Sequence, residues 1–99
     1  MKQAVDITRW VRAACAGDEA AWNYLYQSCH AHLYSVALKI CGNTSLAKDS
    51  VQDTFVMAYI KLPQLREPAT FFGWIKKICI HICYRSLQKN RFNNTVDNI

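Results

Sequence analysis

The chain has 99 residues, of which 52% are hydrophobic and 19% are charged, enough for one globular domain that buries roughly two-thirds of its unfolded surface. This composition excludes an intrinsically disordered chain, and no apolar run approaches the ~18 residues that a membrane span requires. The formal net charge is +5, and where this charge lies along the chain indicates the kind of partner.

The positive charge is concentrated in the last part of the chain. Lysines and arginines balance the acids over residues 1–60, whereas residues 61–99 contain seven Lys and Arg against only Glu67 and Asp97. A localised excess of this kind is typical of nucleic-acid binding. The alternative is a basic helix that only keeps the protein soluble.

The five cysteines are an odd number and contain no Cys-x-x-Cys pair, which indicates reduced thiols in a cytoplasmic protein. The first residues lack the apolar stretch of a signal peptide. Free cysteines on apolar helical stripes behave as small hydrophobic residues. We therefore expect buried structural thiols at Cys29, Cys41, Cys79 and Cys83.

Two helices are predicted in the first half of the chain. Asp6 caps a short first helix, and Gly17 closes it. Asp18 caps a long second helix of about residues 19–41, which ends at Gly42. Apolar residues recur with helical spacing in both. They are Ile7, Trp10, Val11 and Ala14 in the first helix, and Trp22, Leu25, Tyr26, Cys29, Leu33, Val36, Ala37 and Ile40 in the second.

A third helix is predicted over about residues 45–62, with Asn43, Thr44 and Ser45 as candidate caps. Pro63 and Pro68 then bracket a short loop, because proline does not continue a helix. The inward stripe of this helix is expected to be Ala47, Val51, Phe55, Ala58 and Leu62.

Thr70 is expected to cap a fourth helix of about residues 71–89, followed by a polar, asparagine-rich tail. Its predicted inward residues are Trp74, Ile75, Ile78, Ile82 and Ser86. The sequence thus predicts an all-α fold, a compact bundle of about four helices. We expect the helical domain to span residues 1–91, with the start of a linker or a disordered tail over residues 92–99.

The third helix carries a second stripe, which mixes acids, an amide and exposed aliphatic residues. Such a mixture is typical of a protein-binding face whose partner is basic with an apolar centre. The alternative is that Asp49 only stabilises the helix N-terminus while Val56 and Ile60 pack against another helix. The stripe consists of Asp49, Gln52, Asp53, Val56 and Ile60.

The fourth helix carries a basic and aromatic face. Cations follow a phosphate backbone while aromatic and amide side chains meet unpaired bases, which suits single-stranded nucleic acid. The residue types alone also fit duplex binding, or a basic solvent face with Tyr84 half-buried. The face consists of Lys77, His81, Tyr84, Gln88 and Arg91, flanked by Lys76, Arg85 and Lys89.

The cysteines and histidines do not predict a metal site or a catalytic centre. Cys79 and Cys83 share a helix face, but His81 points away from it by about 200°, so the three side chains do not converge as metal ligands. The same geometry excludes a nucleophilic Cys–His pair, and no glycine-rich phosphate loop is present. We expect a protein that is not an enzyme and has no cofactor.

The third helix resembles the corresponding helix of region two of the extracytoplasmic-function (ECF) sigma factors. Their Asp-Ala-Glu-Asp-Leu-Val-Gln-Glu-x-Phe signature is matched at Ala47, Asp49, Val51, Gln52 and Phe55, with Asp53 for Glu, and departs at Lys48 and Ser50. In that family this face grips the clamp helices of the polymerase beta-prime subunit. The resemblance implies a polymerase-binding set of Asp49, Gln52, Asp53, Val56, Tyr59 and Ile60.

The fourth helix resembles the Phe-x-x-Trp-Leu-x-x-Ile-Ala-x-Asn pattern of the same family. The match runs through Phe71, Trp74, Ile75, Ile78, Cys79 and His81, the last in place of Asn. In the family, this helix and the loop before it hold the melted non-template strand of the minus-ten promoter element, with one flipped base in a pocket. The implied DNA-binding residues are Leu65, Arg66, Phe71, Lys76, Lys77, His81, Tyr84, Arg85, Gln88, Lys89 and Arg91.

Taken together, the resemblance implies a sigma region-two domain that binds core RNA polymerase and recognises and helps melt the minus-ten element. The resemblance also allows an anti-sigma factor as a partner, and it implies no association with a membrane. Members of the family carry a second, helix-turn-helix domain beyond such a linker. Two other functions stay open: a sigma-like adaptor that binds polymerase or a regulator without reading DNA, and a general nucleic-acid-binding helical module without a polymerase partner.

Overall fold

A computed structural model describes the backbone of residues 7–97 and the side chains of residues 7–90. Over this range the chain forms helices only, without a strand, which confirms the all-α prediction. The helices are α1 (Ile7–Cys15), α2 (Glu19–Cys41), α3 (Thr44–Lys61) and α4 (Phe71–Asp97), and two short 3-10 turns (Leu62–Gln64 and Pro68–Thr70) connect α3 to α4. None of the helices described is long and apolar enough to cross a membrane.

Side-chain caps and a left-handed glycine set the ends of α2 and α3. The Asp18 carboxylate accepts hydrogen bonds from the amides of Ala20 and Ala21 at 2.9 and 3.2 Å. Gly42 has a φ of 67°, a conformation that glycine adopts without steric cost. One residue later, the side chain of Asn43 caps the N-terminus of α3. The boundaries predicted at these three residues are confirmed, whereas Asp6, the expected cap of α1, lies outside the described residues.

Helices α2, α3 and α4 pack against one another around one core, while α1 packs against α2 and the Pro68–Thr70 turn. The indole of Trp10 on α1 stacks on the ring of Tyr24 on α2, with 4.2 Å between ring centroids. All five residues of the predicted inward stripe of α3 are buried. This packing determines which side of α3 faces outward.

The buried face of α4 agrees with the predicted one at Ile75 and differs from it at other positions. The residues that are fully buried are Phe71, Ile75, Cys79 and Cys83, which follow each other every four positions. Trp74, Ile78 and Ile82 are only half-buried. The small cysteine side chains allow α4 to approach α2 closely, as shown by the Cys79 thiol, which lies 3.9 Å from the Leu33 carbonyl oxygen.

The core of α3 also contains two polar residues that the hydrophobic pattern missed, Ser50 and Thr54, both fully buried. The Thr54 hydroxyl donates to the Ser50 carbonyl at 2.7 Å, and the Ser50 hydroxyl donates to that of Ser86 at 3.3 Å. Ser86, which was expected to face inward, is half-buried. Pairing of this kind removes most of the cost of burying hydroxyl groups.

The C-terminal end of α4 was predicted wrongly. The helix continues past Lys89 to Asp97, because residues 90–97 contain neither proline nor glycine and the helix therefore meets no steric break. At its other end, the hydroxyl of Thr70, the expected cap, donates instead to the Glu67 carbonyl at 2.7 Å. The domain boundary near residue 91 stays a prediction.

Candidate protein-docking and nucleic-acid interfaces

The outward side of α3 presents acids beside an apolar patch. The side chains of Val56, Tyr59 and Ile60 are 55%, 58% and 62% exposed, so the alternative in which Val56 and Ile60 pack against another helix is wrong. Large aliphatic and aromatic side chains exposed side by side mark interaction sites more often than scattered ones do. We refer to this surface as the docking face; it consists of Asp49, Gln52, Asp53, Val56, Tyr59 and Ile60, all exposed.

An aromatic groove of about 620 Å³ borders the docking face, between α2 and α3. The rings of Trp22 and Tyr59 lie 5.3 Å apart with their planes at 71°, and those of Tyr26 and Phe55 lie 4.5 Å apart. Lys48 also lines the groove. Aromatic rings that line a concave surface are frequent anchors of protein interfaces.

The sequence pattern missed this groove, because it assigned Trp22 and Tyr26 to the core of α2. Both are only half-buried. The sequence signal for the groove is a pair of aromatic residues spaced i and i+4 on each helix. The pairs are Trp22 and Tyr26 on α2, and Phe55 and Tyr59 on α3.

The outward side of α4 is basic and aromatic, as the sequence predicts. Tyr84 is 57% exposed, so the alternative in which it is half-buried is wrong. We refer to this surface as the basic face; it consists of Lys76, Lys77, His81, Tyr84, Arg85, Gln88 and Lys89, all exposed. The side chain of Arg91, which was also expected here, lies outside the described residues.

Residues 62–70, the capture loop, precede the basic face and are held by local hydrogen bonds. The amide of Leu65 donates to the Leu62 carbonyl at 3.0 Å, and that of Thr70 donates to the Glu67 carbonyl at 2.8 Å. Leu65 is half-buried and packs against the core, whereas Arg66 is exposed. The loop therefore offers one apolar and one cationic side chain next to the start of α4.

The expected DNA contact of Phe71 is corrected by the structure. Its side chain is fully buried, because the first turn of α4 points this ring into the core. The neighbouring Phe72 is 42% exposed, and the two ring centroids lie 5.5 Å apart. Phe72 is thus the phenylalanine at the start of α4 that a base can stack on, and the sequence reasoning missed it.

The docking face and the basic face meet in a cleft of about 710 Å³ between α3 and α4. Its α3 wall includes Asp53 and Val56 from the docking face. Its α4 wall includes Arg85, Gln88 and Lys89 from the basic face. We call it the α3/α4 cleft. Two surfaces predicted from separate sequence patterns therefore share one depression in the folded protein.

The cysteine thiols are buried, apart from the exposed Cys15, which confirms the predicted packing role of Cys29, Cys41, Cys79 and Cys83. Burial, together with the proximity of Cys79, raises the pKa of Cys29 to about 12. Burial and the neighbouring thiols Cys79 and Cys41 likewise raise the pKa of Cys83 to about 12. These thiols are protonated near neutral pH and therefore poor nucleophiles and metal ligands.

Comparison with known proteins identifies a family. The family described as sigma-70 region 2 matches residues 25–93, a range that includes α3, the capture loop and most of α2 and α4. No solved structure matches the chain.

Two curated relatives carry sigma-factor names. The chain is 28% identical over 78 residues to a probable RNA polymerase sigma factor, RfaY, of Xanthomonas campestris pv. campestris, covering 79% of this chain and 20% of the relative. It is 32% identical over 69 residues to the ECF RNA polymerase sigma factor SigE of Mycolicibacterium smegmatis, covering 67% of this chain and 26% of the relative. The chain thus spans only a minor part of the length of either relative.

Proposed function

The chain belongs to the sigma-70 region 2 family, and from this premise we propose that it docks on core RNA polymerase through α3 and recognises and helps melt the minus-ten promoter element through α4. The observation that carries the proposal is the pair of exposed surfaces of opposite character on adjacent helices. The docking face is acidic and apolar, whereas the basic face lacks any acid between Glu67 and Asp97.

The docking face suits a basic helical partner such as the clamp helices of the polymerase beta-prime subunit. Asp49, Gln52 and Asp53 would accept charge-assisted and amide hydrogen bonds from basic side chains. Val56 and Ile60 would exclude water from these bonds, which strengthens them in the lower local dielectric. The aromatic groove would accept an apolar anchor of the same partner beside this contact.

The basic face suits the melted non-template strand. Its lysines and arginines would follow the phosphates, and the exposed rings of Phe72 and Tyr84 would stack on bases, each stack being worth on the order of 1–3 kcal/mol. Leu65 and Arg66 of the capture loop would contact a flipped base. Strand opening would then be driven by the free energy of binding unstacked bases, and the protein would contribute no chemical step.

The assignment of polymerase binding to α3 and of DNA binding to α4 is supported by the exposed, acid-free basic face. An adaptor that does not bind DNA does not need such a surface. An anti-sigma factor would act by covering one of the two faces.

The proposed binding to core polymerase is tested by competition with a full-length sigma factor. The 99-residue protein, fluorescently labelled, is titrated with core RNA polymerase, and an unlabelled full-length sigma factor is then added. We expect saturable binding that the sigma factor displaces, because both would occupy the clamp helices. Binding that the sigma factor leaves unchanged, or no binding, would contradict the proposal.

A further inference from the structure

The α3/α4 cleft places a carboxylate of one proposed interface beside cations of the other. Asp53 lines the cleft from α3, and Arg85 and Lys89 line it from α4. All three side chains are exposed and accessible to a partner. Asp53 therefore lies where it can influence the phosphate-binding cations as well as the polymerase.

Charges that face each other across two packed helices lie within the range of electrostatic interaction at moderate salt. The axes of packed helices are about 8–10 Å apart, and the Debye length at 0.1 M salt is about 10 Å. A carboxylate within this range repels an incoming phosphate and offsets the attraction of the cations opposite it. The apolar residues of the cleft, which include Val56, Met57 and Ile82, lower the local dielectric and weaken the screening.

We propose that Asp53 weakens DNA binding by the free protein and that polymerase docking removes this effect by pairing a basic group with its carboxylate. The inference rests on the proposed function and deepens it, since it makes Asp53 a determinant of both affinities. Coupling of this kind is reciprocal, so bound DNA tightens the binding of polymerase by the same factor.

The test compares the DNA affinity of the free wild-type protein with that of Asp53→Asn, using a non-template minus-ten single strand in 0.1 M salt. We expect Asp53→Asn to bind about three- to tenfold more tightly, and we expect the difference to shrink toward unity at 0.5 M salt. Glu19→Gln removes the same charge at the start of α2 and is the control for net charge.

Glu19→Gln is expected to change DNA affinity by less than about twofold, since Glu19 does not line the α3/α4 cleft. Equal tightening in Asp53→Asn and Glu19→Gln would show an effect of net charge alone and overturn the inference, and so would an unchanged affinity of Asp53→Asn. Saturating polymerase should abolish the advantage of Asp53→Asn over wild type. If the wild-type protein fails to bind polymerase, the proposed function fails, but the comparison in the free protein still decides the role of Asp53 at the cleft.

Discussion

The Ser50 hydroxyl on α3 donates a 3.3 Å hydrogen bond to the Ser86 hydroxyl on α4. Ser50 is fully buried, and the bond joins the helix that carries the docking face to the helix that carries the basic face. The Cys41 thiol at the end of α2 lies 4.0 Å from the same Ser50 oxygen. This small polar contact thus lies where three helices meet, directly behind the two proposed binding surfaces.

Removal of this contact is expected to destabilise the domain modestly. Ser86→Ala leaves the buried Ser50 hydroxyl without its acceptor and should lower the free energy of unfolding by about 1 kcal/mol. In a double-mutant cycle, Ser50→Ala with Ser86→Ala should cost less than the sum of the single changes, because the two residues share one bond. Urea unfolding of the four proteins measures this, and strict additivity would show that the bond contributes nothing.

Disruption of the docking face is expected to abolish polymerase binding without unfolding α3. Asp53→Lys combined with Gln52→Ala reverses a charge and removes an amide that we place against basic groups of the partner. The matched control is Glu19→Lys with Gln27→Ala, which makes the same changes at exposed positions of α2. Circular dichroism should be the same for both double variants, and affinity for core polymerase should fall only in the first. Binding within a few-fold of wild type would refute the assignment.

Stability is expected to fall in alkaline solution because of the buried thiols. The pKa values of Cys29 and Cys83 are raised from 9.0 to about 12 in the folded state. Below pH 9 both thiols are protonated in the folded and in the unfolded state, so their full contribution to stability is present there. Between pH 9 and 12 the unfolded chain releases protons that the folded protein retains. Each thiol therefore lowers the free energy of unfolding by about 1.4 kcal/mol per pH unit in this range.

Urea unfolding between pH 8 and pH 10.5 tests this dependence. Cys29→Ala should have a shallower decline than wild type, although its stability at pH 8 is lower. Cys15→Ala, which removes an exposed thiol, is the control for loss of a cysteine. Identical declines in wild type and Cys29→Ala would contradict the effect of burial on these thiols.

The two phenylalanines at the start of α4 are expected to have different roles. Phe71→Ala should destabilise the domain by about 3–5 kcal/mol, the usual cost of removing a fully buried ring. Phe72→Ala should preserve the fold and weaken binding to a single strand by about 1–3 kcal/mol, through loss of a stacked base. Thermal unfolding and fluorescence anisotropy distinguish the two effects. Unchanged DNA affinity in Phe72→Ala would show that no base stacks on this ring.

The elements that local chemistry dictates were predictable from the sequence. Asp18, Gly42 and Asn43 act through hydrogen bonds and backbone conformations within a few residues, so their positions define the helix ends without knowledge of the fold. The inward stripe of α3 was also predictable, because Val51 and Phe55 are apolar and the acids lie on the opposite side. The exposed docking face followed from the same periodicity.

The features that depend on contacts between helices were not predictable in the same way. Adjacent residues such as Phe71 and Phe72 differ by about 100° around the helix, so the choice between core and surface requires the exact rotation of α4. Ser50 and Thr54 are polar but buried, because their partners come from within α3 and from α4. The aromatic groove and the α3/α4 cleft exist only once neighbouring helices are placed side by side.

The central claim is most directly tested by the DNA preference of the protein bound to core polymerase. The measurement compares the affinities of three labelled oligonucleotides: the non-template minus-ten single strand, its complement, and their duplex. We expect the non-template strand to bind at least about tenfold more tightly than the complement, because each stacked or pocketed base is worth on the order of 1–3 kcal/mol. Equal affinity for all three would leave only a generic basic surface on α4 and would contradict the promoter-opening role.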